Sequence, residues 1–302
     1  MRQHPVIIIL LSFTLMMSSC AQSAKERNAA IVAEWVGKQM VIPDSLVYTI
    51  AGDTINYDPL DADFTIVAFV DSAECTECAM RLAKWQNVIN ELNSDPDIDV
   101  NFLMVVNTPD AKEAIRVQKR GFFTYPFAID TESQFKKANP DIPTDLQLHA
   151  FLVNPRSEVV AIGSPVLNPN LLKVMKRAIG CDLSNDDNRV KAVTAMNSVG
   201  ILNESDSIHT TFTLINSSDS TAIISGIVES CDCMHAEASS SSLSPGEKAT
   251  ITLTLNGDTA TSRKSVDIFF TDVEQPLHLK TISFAKKTTR SLSKAVLNKP
   301  QY

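Results

Sequence analysis

The sequence predicts two domains in tandem: an α/β domain built on a central sheet, followed by an all-β sandwich. Three observations carry that prediction. The first half alternates continuous apolar runs, Phe64–Val70 (FTIVAFV) and Val100–Val106 (VNFLMVV), with segments whose apolar residues recur at helical spacing. A polar stretch, Cys181–Ala195, with SNDDN inside it, then interrupts the pattern. Beyond it, only short strand-like runs follow, separated by Ser, Asn, Gly and Pro turns. A chain of 302 residues has room for both units.

The chain opens on the pattern of an export signal. Met1–His4 carries a positive charge, Pro5–Met17 (PVIIILLSFTLMM) is apolar, and Ser18-Ser19-Cys20 closes the run. The run is too short to span a bilayer, and small residues precede the expected cut. A cysteine directly after two small residues resembles a bacterial lipobox. That resemblance implies removal of residues 1–19 and lipidation of Cys20, so the mature protein is expected in the cell envelope, lipid-anchored and facing the periplasm.

Residues 20–40 read as a linker and an amphipathic helix over 25–40 that stops before Pro43. Within 41–182, two short strands, Leu46–Ile50 and Thr54–Tyr57, precede the buried strand Phe64–Val70. The spacing of Met80, Leu82, Trp85, Val88, Ile89 and Leu92 predicts a helix over Thr76–Leu92. The strand Val100–Val106 follows, then a helix over Pro109–Arg120 ended by Gly121. A short strand Phe127–Asp130 and a short helix Ser133–Asn139 come next. Leu148–Asn154 and Glu158–Gly163 form a hairpin around Pro155-Arg156-Ser157, and Pro169–Ile179 is a closing helix. Residues 183–196 read as a linker. The sandwich occupies 197–286, with strands at Thr210–Asn216, Ala222–Val228, Ala249–Leu255, Val266–Phe270 and Leu277–Phe284. Residues 287–302 read as a basic, polar tail. The net charge of −8, without a Lys/Arg cluster, argues against nucleic acid as a partner.

The chemistry concentrates on cysteine. If Cys20 carries lipid, five cysteines remain: Cys75, Cys78, Cys181, Cys231 and Cys233. An exported chain meets an oxidising compartment, where disulfides form and persist. Cys75 follows a buried strand by four residues and opens a helix, where unpaired N–H groups and the helix dipole favour a thiolate. Cys78 lies one turn on, within reach of a mixed disulfide formed at Cys75. Strand, turn, CxxC and helix in this order favour redox chemistry. A structural disulfide, and buried thiols or a metal half-site, are the competing readings. Glu74 and Glu77 flank the Cys75 thiol, and their like charge opposes a second anion. That opposition points Cys75 toward reductase or relay chemistry.

Residues 41–182 resemble the thioredoxin-like modules of exported TlpA-type proteins. The resemblance rests on FTIVAFVDSAECTECAMRLAKW, on YPFAID and on FLVNPRSEVVAIG, and it is similar to a group of Bacteroidetes lipoproteins sharing VDS-x-x-C-x-x-C. It implies a periplasmic thiol–disulfide oxidoreductase, with Cys75 as nucleophile and Cys78 as resolving thiol, that needs no cofactor and acts on protein thiols and disulfides of the envelope. The membrane is then a partner only through the N-terminal lipid. A cis-proline is usual in that family opposite the cysteines. Here Leu148 takes its place, followed by His149, which could reach Cys75 or lie on the strand surface.

The second pair sits in Ser230–His235 (SCDCMH), between strands. Strand, SC-x-C, loop, PGE, strand resembles a family of bacterial immunoglobulin-like domains of unknown function with an SCGCT motif, over about 197–285. In an extended chain, Cys231, Cys233 and His235 share one face. An oxidised or redox-exchanging pair, a soft-metal site for Cu(I) or Zn²⁺, and thiols without chemistry all fit this spacing. For the whole chain two further functions compete with the oxidoreductase: an envelope scaffold with a structural CxxC, and a metal-binding protein. Cys181 at a helix end reads as inert, Trp85 as core or partner surface, and Asp186-Asp187 as solvated linker.

Overall fold

The computed structural model describes residues 24–71, 80–181 and 189–287. The first domain is a mixed sheet with a parallel centre. Strands β1 (Tyr48–Ile50) and β2 (Asp53–Asn56) form a hairpin, turned through Ala51 and Gly52, both at positive φ. Strands β3 (Phe64–Val70), β4 (Val100–Asn107) and β5 (Phe127–Asp130) run parallel. Strands β6 (Ala150–Val153) and β7 (Val159–Ile162) add an antiparallel hairpin beside β3. The order across the sheet is β2-β1-β5-β4-β3-β6-β7. Every residue of β4 and all but the first of β3 are buried, because helices cover both faces of a parallel sheet. These helices are α1 (Ala24–Trp35), α2 (Leu82–Leu92), α3 (Ala111–Arg120), α4 (Gln134–Ala138) and α5 (Asn170–Ala178). A central strand flanked by parallel partners on one side and an antiparallel hairpin on the other is a thioredoxin-like arrangement.

Local differences from the sequence reading have local causes. The first helix stops at Trp35, not near residue 40. Past Gly37 (φ +87°) the chain becomes an added edge on β7, with Gly37 N to Val159 O at 2.8 Å, Val159 N to Lys38 O at 2.9 Å and Met40 N to Ser157 O at 2.8 Å. Edge pairing there replaces further helix. The described part of the Thr76–Leu92 helix begins at Leu82, after Arg81 in the left-handed region (φ 44°). Leu148 closes a 3-10 turn over Leu146–Leu148 instead of opening a strand, because Asp145 caps it by accepting from Gln147 N. No cis peptide bond occurs among the described residues.

The second domain is two packed sheets. One has the order β12-β14-β10-β8, from Met234–Ala238, Lys248–Asn256, Ser207–Asn216 and Val190–Ala192. The other runs β13-β11-β15-β16, from Ser242–Leu243, Ala222–Glu229, Ser262–Phe270 and Leu277–Lys286. Strand β9 (Met196–Ile201) pairs parallel to β16. Alternate residues of β14 point inward, with Ala249, Ile251, Leu253 and Leu255 buried, as a half-buried strand requires. They meet Phe212, Leu214, Val266, Ile268 and Leu279 in one core. Strand β8 forms inside the stretch read as linker, because Val190 is buried in this core and β8 pairs with β10.

The two domains share a sheet. Strand β16 pairs antiparallel with β2, Ala285 opposite Asn56 and Lys286 opposite Ile55. Phe284 packs edge-on against Tyr57 (ring centroids 5.5 Å apart), whose hydroxyl donates to Phe102 O. Met196, Ile282 and Phe284 belong to the core of the first domain. Lys280 crosses the junction and donates to Asp95 O (2.8 Å), Ile98 O (2.9 Å) and Asp99 Oδ1 (3.1 Å). Arg263 reaches Asp61 O and Asn101 Oδ1, and the side chain of Asn90 accepts from Ala195 N and Met196 N.

Candidate functional site

The end of the sheet that carries the first cysteine pair is built by the last residues of the parallel strands. β3 ends at Val70, and Asp71 follows it. Asp71 Oδ1 accepts from Asn107 Nδ2 at 3.0 Å, and Oδ2 pairs with Lys136 Nζ at 2.7 Å. Ser133 Oγ in turn donates to Asn107 Oδ1 at 2.9 Å. Asp130, at the end of β5, is buried and accepts from Gln134 N (3.0 Å) and Phe135 N (2.9 Å), which fixes α4 and so aims Lys136. The site therefore couples the ends of β3, β4 and β5 through polar side chains.

Cys75 and Cys78, with Glu74, Thr76 and Glu77 around them, lie outside the described residues. Their flanks are placed. Met80, the first described residue after them, is fully buried just before α2. In the sequence the pair follows β3 by a few residues. Sequence reasoning missed Lys136. Its cation neutralises the Asp71 carboxylate, which reduces the repulsion that charge offers to an anion nearby.

His149 is neither a neighbour shown to reach Cys75 nor a strand-surface residue. It is buried, its ring packs on Phe69 (5.3 Å between centroids), and Nε2 sits 2.7 Å from Pro143 O. Its own carbonyl accepts from Phe69 N at 2.9 Å. The residue ties the loop before β6 to the end of β3, a structural role that the sequence could have signalled only through burial. Leu148 beside it is buried as well.

The second pair is a disulfide between Cys231 and Cys233, with Cα atoms 5.2 Å apart. The chain does not stay extended here. It turns between β11 and β12, with Met234 N donating to Cys231 O at 3.4 Å. Cys231 and Cys233 are half-buried, and Asp232 is exposed. His235 faces Glu229 (3.6 Å) and Glu237 (3.3 Å). With both sulfurs bonded, the pair offers no thiolate to a metal in this state, and no cluster of three metal-ligating side chains occurs among the described residues. A bond enclosing so few residues also contributes little as a crosslink: chain entropy gives about 1.5 kcal/mol, against about 3 kcal/mol for a 15-residue loop. Cys181 is buried and in no disulfide, and burial pushes its thiol pKa up. Cys20 and Asp186-Asp187 lie outside the described residues. No described helix is long and apolar enough to cross a membrane.

Residues 191–283 match a family described as "Protein of unknown function (DUF1573)". No curated protein matches the chain. Among solved structures, the chain is similar to a putative protein disulfide isomerase from Bacteroides thetaiotaomicron: 14% identity, 48% of this chain, 90% of that one, TM-score 0.36. It is also similar to the thioredoxin domain of a thiol-disulfide oxidoreductase, BVU-2223, from Bacteroides vulgatus (13%, 46% and 96%, TM-score 0.34). A third likeness is to a protein of unknown function from Porphyromonas gingivalis W83 (10% identity, 32% of this chain, TM-score 0.28), of whose length the chain spans 46%. These scores are low, and the thioredoxin-like arrangement rests on the strand order itself.

Proposed function

We propose that this protein is a thiol–disulfide oxidoreductase of the cell envelope. The observation that carries the reading is the attachment of Cys75 and Cys78 to the C-terminal end of β3, the central strand of a thioredoxin-like sheet. In the proposed cycle, the Cys75 thiolate attacks a substrate disulfide, one substrate sulfur leaves as a thiolate, and a mixed disulfide forms. Cys78 then attacks Cys75, releasing reduced substrate and leaving a Cys75–Cys78 disulfide. The Asp71–Lys136 pair limits the negative charge facing this step. Protein thiols and disulfides of the envelope are the proposed partners. Cys20, lipidated after removal of residues 1–19, is the proposed membrane anchor on the periplasmic side. The proposal extends to a TlpA-type first domain and an immunoglobulin-like fold of the SCGCT type for the sandwich.

The test is equilibration of the full chain with glutathione mixtures, read by thiol alkylation and mass. Cys75 and Cys78 should interconvert reversibly with their disulfide, Cys75→Ser should abolish exchange, and Cys78→Ser should trap mixed disulfides. A pair that stays oxidised under strong reductant, or never oxidises, turns the reading to a scaffold with a structural CxxC.

A further inference from the structure

The proposed function uses one cysteine pair and leaves the second unexplained. A structural staple is a poor account of it. Cys231 and Cys233 are two residues apart, so the bond restricts almost none of the unfolded chain. Nor does the turn depend on the bond. Ser230 is fixed from both directions by Ser265, with Ser230 N to Ser265 O at 3.0 Å and Ser265 N to Ser230 Oγ at 2.9 Å. Asn256 N holds Cys233 O at 3.1 Å, and Ala236 N donates to Glu229 Oε1 at 3.1 Å. These contacts come from β14, β15 and β12, and they hold the backbone on both sides of the pair. The turn sits at the surface, and both cysteines keep part of their area open to solvent. A small, accessible disulfide on a preformed turn is suited to exchange.

We propose that Cys231–Cys233 is a second thiol–disulfide exchange site, which accepts electrons from a partner dithiol and works apart from Cys75 and Cys78. In the forward step a partner thiolate attacks one sulfur of the pair. The Cys231–Cys233 bond breaks, a mixed disulfide forms, and the other cysteine leaves as a thiolate that takes a proton. The second partner thiol loses its proton and attacks the mixed disulfide. The partner becomes a disulfide, and both cysteines end as thiols. Two electrons and two protons pass from partner to protein, so the step balances.

The two sites are separate because of how the domains join. Ser230, Ser265 and Lys280 lie on one rung across β11, β15 and β16. Lys280 touches Asp95–Asp99, just before β4. Asp71 and Asn107 lie at the other end of β4, eight residues long and so about 23 Å away. The second disulfide therefore lies toward the end of the first domain opposite Asp71 and Asn107, and the proposed electron donor is another molecule.

The experiment uses the full chain carrying Cys75→Ser and Cys78→Ser, so its outcome is independent of the first pair. The protein is equilibrated with mixtures of reduced and oxidised dithiothreitol, quenched in acid, alkylated and digested, and the peptide holding residues 231 and 233 is weighed. The expected result is two-electron interconversion in both directions, with the thermal midpoint of the reduced form within about 5 °C of the oxidised form. The Cys231→Ser/Cys233→Ser variant should show the same small shift. A bond that resists dithiol until the protein unfolds overturns the proposal, as does a double variant whose midpoint falls by more than about 10 °C. Thiols that do not re-form the bond in oxidised dithiothreitol overturn it too.

Discussion

The two ends of the first domain's sheet are built for different purposes. At the N-terminal ends of β3 and β4 the sandwich closes the sheet: Lys280 satisfies two backbone carbonyls and Asp99, Arg263 reaches Asn101, and Asn90 receives two sandwich N–H groups. At the C-terminal ends the side-chain contacts of Asn107 and Lys136 stay within the first domain and centre on one carboxylate, Asp71. One end joins the two domains and the other holds a polar network within the first. A buried cation bonded to main-chain carbonyls fixes an orientation, whereas a half-exposed ion pair tunes charge with little effect on the fold.

The largest effect should come from breaking the joined end. Lys280 is buried, and its loss leaves the carbonyls of Asp95 and Ile98 without this donor in a packed junction. Lys280→Met keeps most of the side-chain volume and removes the charge. The expected cost is about 3 kcal/mol, seen as a lower denaturation midpoint and as faster amide exchange in β2 and β16. An unchanged midpoint with unchanged exchange would show that the β16–β2 pairing and the Phe284–Tyr57 contact suffice without the lysine.

A smaller, signed effect should appear at the other end. Lys136→Met removes the cation paired with Asp71, which disfavours a thiolate in the adjoining segment. Asp71→Asn leaves the Lys136 cation, which favours one. Alkylation of Cys75 at neutral pH should therefore slow in the first variant and quicken in the second, each by about three- to tenfold, the range of a nearby, partly solvated charge. Shifts of the same sign in both variants would mean that the pair acts by positioning loops and not by charge. Stability should change by less than about 1 kcal/mol in either, which separates this end from the Lys280 end.

The same contrast explains what the sequence disclosed. The cores of β3 and β4 were legible because a run such as FTIVAFV or VNFLMVV has few other homes, and the strands of the sandwich because their alternation is regular. The first cysteine pair is read from the sequence alone, just after β3, and lies outside the described residues. Lys136 was not, since its distance from Asp71 is 65 residues in sequence and is closed only by the fold. The junction was invisible for the same reason: Lys280 reads as an ordinary charged strand residue until Asp95–Asp99 surround it. β8 and β12 were missed because each is short and gains its stability from a partner strand, β10 or β14, and not from its own pattern. Of the readings open for Cys231 and Cys233, the structure shows the oxidised pair, on a turn held by backbone bonds to Ser265 and Asn256 that strand alternation cannot foresee.

The smallest predicted effect concerns Cys181, which lies beside Ser94 and Asp95 near the joined end. Burial raises its thiol pKa, although Lys176 opposes the shift. In the unfolded chain the thiol ionises first, near its ordinary value of about 8.5. A raised folded pKa gives a contribution that is full below the unfolded value and is lost as pH rises through the folded one. Between pH 7 and pH 10 the protein should therefore lose slightly more stability than Cys181→Ala does, and maleimide should label Cys181 far more slowly in the folded chain than in denaturant. Equal pH dependence of the two proteins, with fast labelling of the folded one, would show that the thiol is open to solvent and that the end of α5 frays where the structure holds it closed.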